Sequence, residues 1–99
     1  MDVELVALHT VQEMLPNYGL VKQLTTKLSE ADYTAWLARM VPHHYAQVVA
    51  KENGETIGLS GFWIGHKLYC GKYLEIDNFV VDPAHRSRGV GELLVRWLE

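Results

Sequence analysis

A dipeptide near the middle of the chain, Asn53-Gly54, limits the fold more than any other part of the sequence. A two-residue turn of type I′ needs positive φ at both positions, which asparagine and glycine tolerate best. The pair therefore predicts a tight antiparallel hairpin, with one strand from Tyr45 to Lys51 and a return strand from Thr56 to Ile64. Within that return strand, Gly58 and Gly61 predict a bulge or a close approach of backbone or ligand.

The sequence before this hairpin predicts a strand and a capped helix. Apolar residues alternate with polar ones from Asp2 to Leu8, as in a half-buried strand. Thr10 and Glu13 then have the spacing of a capping box, in which each side chain accepts from the backbone N–H of the other residue. Pro16 and Gly19 predict a kink or a break in the helix that follows.

A second helix and further strands complete the predicted order. Ser29 has the position of a helix N-cap, and apolar residues three and four apart follow it until Pro42. After the hairpin we expect a loop from Gly65 to Gly71, a third long strand from Lys72 to Val81, and a final helix. The order β-α-α-β-β-β-α predicts a mixed α/β (α+β) fold, with a mostly antiparallel sheet flanked by helices.

Composition limits the class of protein. The chain has 99 residues, of which 48% are hydrophobic, and this predicts one globular domain over residues 1–99. Its one cysteine, Cys70, has no partner for an internal disulfide, and no apolar run is long enough to span a bilayer. Nine basic residues against twelve acidic ones argue against a nucleic-acid binder. We therefore expect a cytoplasmic protein that binds neither nucleic acid nor membranes.

The stretch from Ile76 to Gly91 carries the chemistry of this sequence. Its pattern is that of a strand, a short loop with two arginines and two glycines, and the first turn of a helix. Free N–H groups and the positive end of the helix dipole bind anions at such a helix start. Glycines let an anion reach the backbone, and arginines add charged donors. A phosphate or pyrophosphate is therefore the expected ligand.

The spacing of the glycines narrows the kind of phosphate ligand. The Walker form is absent because no Lys-Ser/Thr follows them, and the dinucleotide form fails because Leu94 stands where its third glycine belongs. The form R-x-x-G-x-G does fit, at Arg86, Gly89 and Gly91, with Val81-Asp82-Pro83 before it. Together with the predicted order of elements, this segment resembles motif A of the GNAT superfamily of N-acetyltransferases, and the resemblance covers essentially the whole chain.

The resemblance implies that acetyl-CoA is the co-substrate and that no metal is needed. The pantetheine arm would pair with the backbone of the last strand, and the pyrophosphate would rest on amides of the following loop and helix. The implied contacts are Phe79, Val80, Val81, Arg86, Ser87, Arg88, Gly89, Val90, Gly91 and Glu92.

Two carboxylates compete for the role of base. A primary amine is mostly protonated at neutral pH and must lose a proton before it attacks a thioester. Glu75 and Asp77 are two residues apart on one strand, hence on one face if no bulge intervenes. Each matches the position of an acidic residue in different members of the family, and a solvated or salt-bridged strand face is the alternative explanation for both. Asn78 is expected on the opposite face.

Several aromatic residues are candidates for an acceptor pocket, although core packing explains them as readily. The resemblance places acceptor contacts on the first helices, where the candidates are Tyr18, Tyr33 and Trp36. On the strands and their loop, the candidates are Phe62, Trp63, Tyr69 and Tyr73. The net charge of -3 suits a cationic small-molecule or peptide amine, such as a polyamine, an aminoglycoside or a lysine.

The sequence thus predicts an acetyl-CoA-dependent N-acetyltransferase that acts by direct attack of an amine. The alternative is an acyl-CoA-binding or interaction module without turnover, since the family places a further strand and helix, with a tyrosine general acid, after the point where this chain ends. We expect a fragment or a chain completed by a partner copy through an open sheet edge. The apolar face of the last helix would then be uncovered, at Leu93, Leu94, Trp97 and Leu98.

Overall fold

A computed structural model describes residues 3–86 and 89–99. The strands are β1 Val3–Leu8, β2 Tyr45–Glu52, β3 Glu55–Lys67 and β4 Gly71–Val81. The helices are α1 Val11–Met14, α2 Tyr18–Leu24, α3 Glu30–Met40 and α4 Val90–Leu98. The strands form one antiparallel sheet in the order β1-β2-β3-β4, so the predicted α+β fold is confirmed. Ser87 and Arg88, two of the expected ligand contacts, lie outside the described residues.

The central hairpin forms where its turn residues predict it. Asn53 and Gly54 have φ values of 53° and 79°, so both central positions are left-handed as a type I′ turn requires. Glu52 and Glu55 pair directly on either side of the turn. The turn therefore sets the register for the pairs Glu52–Glu55 and Lys51–Thr56, beyond which a bulge leaves Ile57 without a partner in β2.

The capping box and the break in the first helix are also confirmed. The Glu13 N–H donates to Thr10 Oγ1 at 3.2 Å, and the Thr10 N–H donates to Glu13 Oε1 at 3.1 Å. Pro16 lies in a 3-10 turn that separates α1 from α2. At the start of α3, Ser29 Oγ accepts from the Asp32 N–H at 3.0 Å.

The predicted loop from Gly65 to Gly71 is wrong at both ends: its first three residues continue β3 as far as Lys67, and Gly71 begins β4. Gly65 pairs with Tyr73 across the ladder, and a Cβ at position 65 would come within 2.6 Å of the tyrosine ring. The glycine is therefore a strand residue that makes room for an aromatic ring.

Helices cover both faces of the sheet. The α1–α3 side packs on a core that includes Met14, Val21, Tyr33, Leu37 and Val49. On the opposite side, α4 packs on a core that includes Val48, Ile57 and Phe62. None of the described helices is long and apolar enough to span a bilayer.

The expected uncovered face of α4 is wrong at two of its four positions. Leu94 and Leu98 are buried against the sheet, because a Cβ-free Gly58 lets the helix approach β3 closely. Leu93 is half-buried, and Trp97 keeps 41% of its surface exposed beside Phe62. β4 is an edge strand of the described sheet, as expected.

A substitution at Gly61 tests how closely the Tyr45 side chain and the backbone of β4 approach β3 at this position. A Cβ there would meet the Tyr45 hydroxyl and lie 2.9 Å from the Asp77 carbonyl oxygen. We expect Gly61→Ala to lower the free energy of unfolding by about 1–3 kcal/mol, because backbone cannot move aside cheaply. Urea unfolding measures the loss.

Gly19→Ala is the matched control, because nothing lies within 4 Å of its added Cβ. It should leave stability unchanged or raise it by up to about 1 kcal/mol. Equal stability of the two variants would contradict the close approach at Gly61.

Candidate functional site

Strand β4 contains one extra residue beside the predicted carboxylates. The register joins Ser60 to Phe79 but Gly61 to Asp77, so Asn78 is left unpaired in the ladder. Asn78 has φ 55°, a left-handed conformation that asparagine tolerates better than most residues. Because of this bulge, Asp77 faces α2 and α3 while Phe79 faces α4, although the two are only two residues apart.

The position of Asn78 corrects the prediction that it points to the face opposite the carboxylates. Its Oδ1 accepts from the Tyr45 hydroxyl at 3.4 Å, and it lines the same pocket as Asp77. Simple alternation fails here because a bulge can turn two consecutive residues toward one face.

A pocket of about 200 Å³ lies between this bulge and helices α2 and α3. Its walls are mainly apolar and consist of Val21, Leu28, Tyr33, Trp36, Leu37 and Met40. Thr25, Tyr45, Asp77 and Asn78 supply its polar groups. Among the described residues that line it, Asp77 supplies the one carboxyl group, and none has a basic side chain.

The two carboxylates have different surroundings, although the register does place them on one face as predicted. Asp77 is half-buried, lines the pocket, and accepts from Trp63 Nε1 at 3.1 Å. Glu75 is exposed, lies opposite Trp63 in the ladder, and is not among the residues that line the pocket. Only Asp77 is therefore placed to meet a group bound there.

A chain of buried hydrogen bonds fixes the wall behind Asn78. Gln47 is completely buried and donates from Nε2 to the hydroxyl oxygens of Tyr33 and Tyr45, each at 3.2 Å. Gln47 Oε1 accepts from Asn17 Nδ2 at 3.3 Å. With both Gln47 donors used, the Tyr45 hydroxyl proton is directed to Asn78. These buried hydrogen bonds therefore hold the bulge at Asn78 in place.

These buried hydrogen bonds were not predicted from the sequence. The signal for them was a lone amide, Gln47, in the otherwise apolar strand from Tyr45 to Ala50. Its function depends on Asn17, thirty residues earlier, which no local pattern connects to it.

The buried tyrosine is held in its neutral form. Burial, with smaller repulsion from Tyr33 and Asp77, raises the pKa of Tyr45 to about 12, against a lowering from the Gln47 hydrogen bond. Burial also raises the pKa of Tyr33. Tyr45 therefore acts as a hydrogen-bond donor at neutral pH.

The loop after β4 is ordered by local hydrogen bonds. Asp82 Oδ1 accepts from the Ala84 N–H at 3.0 Å and starts a 3-10 turn. Arg86 Nε donates to the Val81 carbonyl at 3.2 Å. Gly89 has φ 82° and is the N-cap of α4, a left-handed position that favours glycine.

The ladder decides which backbone groups of β4 face outward. The Asp82 N–H donates to the Ile57 carbonyl at 2.8 Å, so position 82 is directed toward β3. Hydrogen-bonding direction alternates along an antiparallel strand. Val80 is then also directed toward β3, and the backbone groups of Phe79 and Val81 face the edge of the described sheet.

Gly91 is a glycine that the protein's own packing does not require. A Cβ there would lie 3.6 Å from the Phe79 ring and 3.8 Å from Val81, which is ordinary contact. Glycine lowers helix stability relative to alanine, so its presence in the first turn of α4 favours an approach by something outside the chain.

The aromatic candidates are divided by the fold. Tyr33 and Trp36 line the pocket, and the Tyr18 ring packs at a tilt against Tyr33, with ring centroids 5.7 Å apart. Trp63 contacts Asp77. Phe62, by contrast, packs on the α4 side and cannot line this pocket.

The remaining two candidates also lie away from the pocket. Tyr69 is exposed beyond the end of β3, and Tyr73 lies across Gly65. Neither is among the residues that line the pocket.

A polar cluster joins the hairpin turn to the start of the loop. His85 Nδ1 lies 3.9 Å from Glu52 Oε1. Potential ligand atoms of Glu55, Asp82 and His85 lie within 4.8 Å of one another. The sequence did not predict this grouping, because the turn and the loop are far apart along the chain.

Comparison with known proteins identifies the architecture. The family model for the acetyltransferase (GNAT) family matches residues 9–99. A Trypanosoma brucei acetyltransferase structure has a TM-score of 0.77 at 24% identity, over 98% of this chain and 72% of that one. Glucosamine-6-phosphate N-acetyltransferase from Arabidopsis thaliana has a TM-score of 0.71 at 20% identity, over 99% and 72%.

A third solved structure contains a ligand. It is an aminoglycoside N-acetyltransferase in complex with CoA, with a TM-score of 0.76 at 22% identity, over 99% of this chain and 68% of that one. At these identities the structures show a shared fold. No protein of curated function matches the sequence.

The pKa of Tyr45 predicts how stability depends on pH. The phenol titrates near 10 in an unfolded chain and near 12 in the folded one, so the folded state holds its proton more tightly. The associated stability is complete below pH of about 10 and is lost as pH rises toward about 12. Urea midpoints at pH 8 and pH 11 measure this, and Tyr45→Phe should reduce the difference between them.

The control is Tyr69→Phe, which removes the hydroxyl of an exposed residue. It should retain the pH dependence of the unaltered chain. If Tyr45→Phe and Tyr69→Phe have the same dependence, the buried position of the Tyr45 hydroxyl is wrong.

Proposed function

We propose that this chain, which belongs to the GNAT acetyltransferase family, transfers the acetyl group of acetyl-CoA to a primary amine. One observation carries the proposal. Asp77, in the pocket, is separated by the single bulge residue Asn78 from Phe79, whose backbone faces the open edge of β4. An amine in the pocket and a thioester along that edge would therefore meet beside Asp77.

The residues present fit the co-substrate. The outward backbone groups of Phe79 and the outward N–H of Val81 suit the amides of a pantetheine arm, which would lie along β4 like an added strand. The Val81 carbonyl already accepts from Arg86 Nε. The backbone groups of Val80 are directed toward β3, so we expect them to stabilise the sheet and not to pair with the ligand.

The start of α4 fits a pyrophosphate. The amides from Gly89 to Glu92 lie in the first turn, where N–H groups have no partner within the helix. A Cβ at Gly91 would lie beside Phe79 and Val81, and Arg86 adds a positive charge to the loop between β4 and α4. Ser87 and Arg88 stay as predicted contacts.

In the proposed reaction, Asp77 accepts one proton from the bound ammonium, directly or through one water. The neutral nitrogen then attacks the thioester carbonyl carbon, whose oxygen is stabilised by an outward N–H of β4. A C–N bond forms and the C–S bond breaks. The nitrogen releases its second proton to the leaving sulfur, so the products are an amide and a free thiol.

The surroundings favour Asp77 over Glu75 as the base. A proton acceptor must lie within hydrogen-bond reach of the amine, and of the two carboxylates only Asp77 lines the pocket. The Trp63 indole N–H holds its other side in place. Glu75 projects from an exposed position of the same face.

Paired substitutions test this assignment. Asp77→Asn keeps the shape of the side chain and an oxygen for Trp63, but it cannot accept the proton. We expect kcat to fall by about 10²–10⁴-fold. Release of free CoA thiol measures turnover, and acetyl-CoA affinity should stay within about twofold since the change is remote from the pyrophosphate.

Glu75→Gln is the matched control and should retain kcat within about threefold, the size of effect usual for exposed residues. Loss of activity in Glu75→Gln alone would reverse the assignment. Tight binding of acetyl-CoA without thiol release from any amine would instead favour the binding module.

A substitution at Gly91 tests the proposed acetyl-CoA site. It separates an effect on ligand affinity from an effect on folding stability. Gly91→Ala should weaken acetyl-CoA binding by at least about tenfold, because the new methyl group, beside Phe79 and Val81, would lie where the proposed ligand passes from β4 to the helix start. Stability should be unchanged or raised by up to about 1 kcal/mol. Calorimetry and urea unfolding measure the two quantities.

Val95→Ala is the control for this experiment, since Val95 is exposed and lies later in α4. It should keep the affinity of the unaltered chain. An unchanged affinity in Gly91→Ala would show that the ligand does not pass over this turn.

A further inference from the structure

Resting on the proposed function, we infer the acceptor's chemical class: a small primary amine with a single positive charge, carried on an apolar ring or chain. The pocket beside Asp77 is the basis of this inference. We therefore expect this pocket to bind sugar or polycationic acceptors poorly, including the aminoglycosides named for some structural relatives.

The walls of the pocket are the first argument. Two aromatic rings, Tyr33 and Trp36, and aliphatic side chains such as Leu28 and Met40 form most of its lining. A hydroxyl moved from water to such walls loses its hydrogen bonds without replacement, which is costly. An apolar body would gain from the same transfer.

The state of the two tyrosine hydroxyls is the second argument. Tyr33 donates its proton to the Met14 carbonyl at 2.9 Å, and Tyr45 donates its proton to Asn78. Both oxygens also accept from Gln47. These hydroxyls, which would otherwise serve a polyhydroxylated ligand, have their protons already committed within the protein.

Charge is the third argument. Asp77 can neutralise one ammonium group, and the described residues that line the pocket offer no second carboxylate. A second ammonium on the ligand would therefore lose its hydration there and gain no carboxylate of its own.

Size sets the upper limit. The volume of about 200 Å³ is below the roughly 300–1,000 Å³ that drug-sized ligands occupy. A phenyl ring or a short alkyl chain next to the amine matches this space, and a sugar trisaccharide exceeds it.

A panel of amines tests the inference. Acetyl-CoA is supplied with 2-phenylethylamine, hexylamine, spermidine or glucosamine, and kcat/KM is obtained from release of free thiol. We expect both apolar monoamines to exceed spermidine and glucosamine by at least about tenfold, the usual discrimination of an apolar pocket.

A variant pair locates the preference in the pocket. Trp36 and Leu24 are both 52% exposed on helices, but only Trp36 lines the pocket, so neither truncation should prevent folding. Trp36→Ala should raise KM for 2-phenylethylamine by about tenfold and change KM for spermidine by less than about twofold. Leu24→Ala should change neither.

The outcomes separate the two levels of the proposal. Preference for spermidine or glucosamine would overturn the inferred class and leave the acetyltransferase function standing. An unchanged KM in Trp36→Ala would also overturn it, since the apolar wall would then not contact the acceptor. Thiol release with none of the amines would overturn the proposed function and the inference with it.

Discussion

The hydrogen bond from Tyr45 to Asn78 is the interaction on which the geometry of the site depends. It holds an unpaired, left-handed residue in β4 and so allows Asp77 and Phe79 to face opposite sides of the sheet. Without the bulge, the two would share a face, and the carboxylate could not lie in the pocket while the Phe79 ring packs beneath α4. One inserted residue thus joins the proposed acceptor pocket to the open backbone edge of β4, the proposed site of the thioester.

Hydrogen bonds inside the core stabilise this arrangement. Gln47 and Asn17 are buried polar side chains, and each would destabilise the fold if its hydrogen bonds were not made. Asn17 donates to Gln47, and Gln47 donates to both tyrosines. Among the described residues, no buried side-chain nitrogen or oxygen lacks a hydrogen-bond partner. The same chain of hydrogen bonds orients Tyr45, so the stability of the core and the shape of the site both depend on it.

Features set by neighbouring residues could be predicted from the sequence, and features set across the fold could not. The Asn53-Gly54 turn, the Thr10–Glu13 cap and the break at Pro16 depend on local backbone preferences, and all three are present. The bulge at Asn78 depends on Tyr45 in another strand. The sequence predicts a loop at Gly65, but the residue lies in β3, where a glycine leaves room for the Tyr73 ring of the neighbouring strand. Of the candidate site, the carboxylates and the loop could be proposed from the sequence, but not the pocket, which Asp77 lines and Glu75 does not.

Backbone hydrogen exchange at β4 tests most directly whether this edge receives acetyl-CoA. Phe79 and Val81 face outward while Val80 is bonded toward β3, so ligand pairing has an alternating signature along three consecutive residues. In a ¹⁵N-labelled sample, saturating acetyl-CoA should slow amide exchange at Phe79 or Val81, or both, and at Gly89 to Glu92, with little change at Val80. Exchange that is unaltered at both outward positions, or slowed equally at all three, would contradict the proposed site.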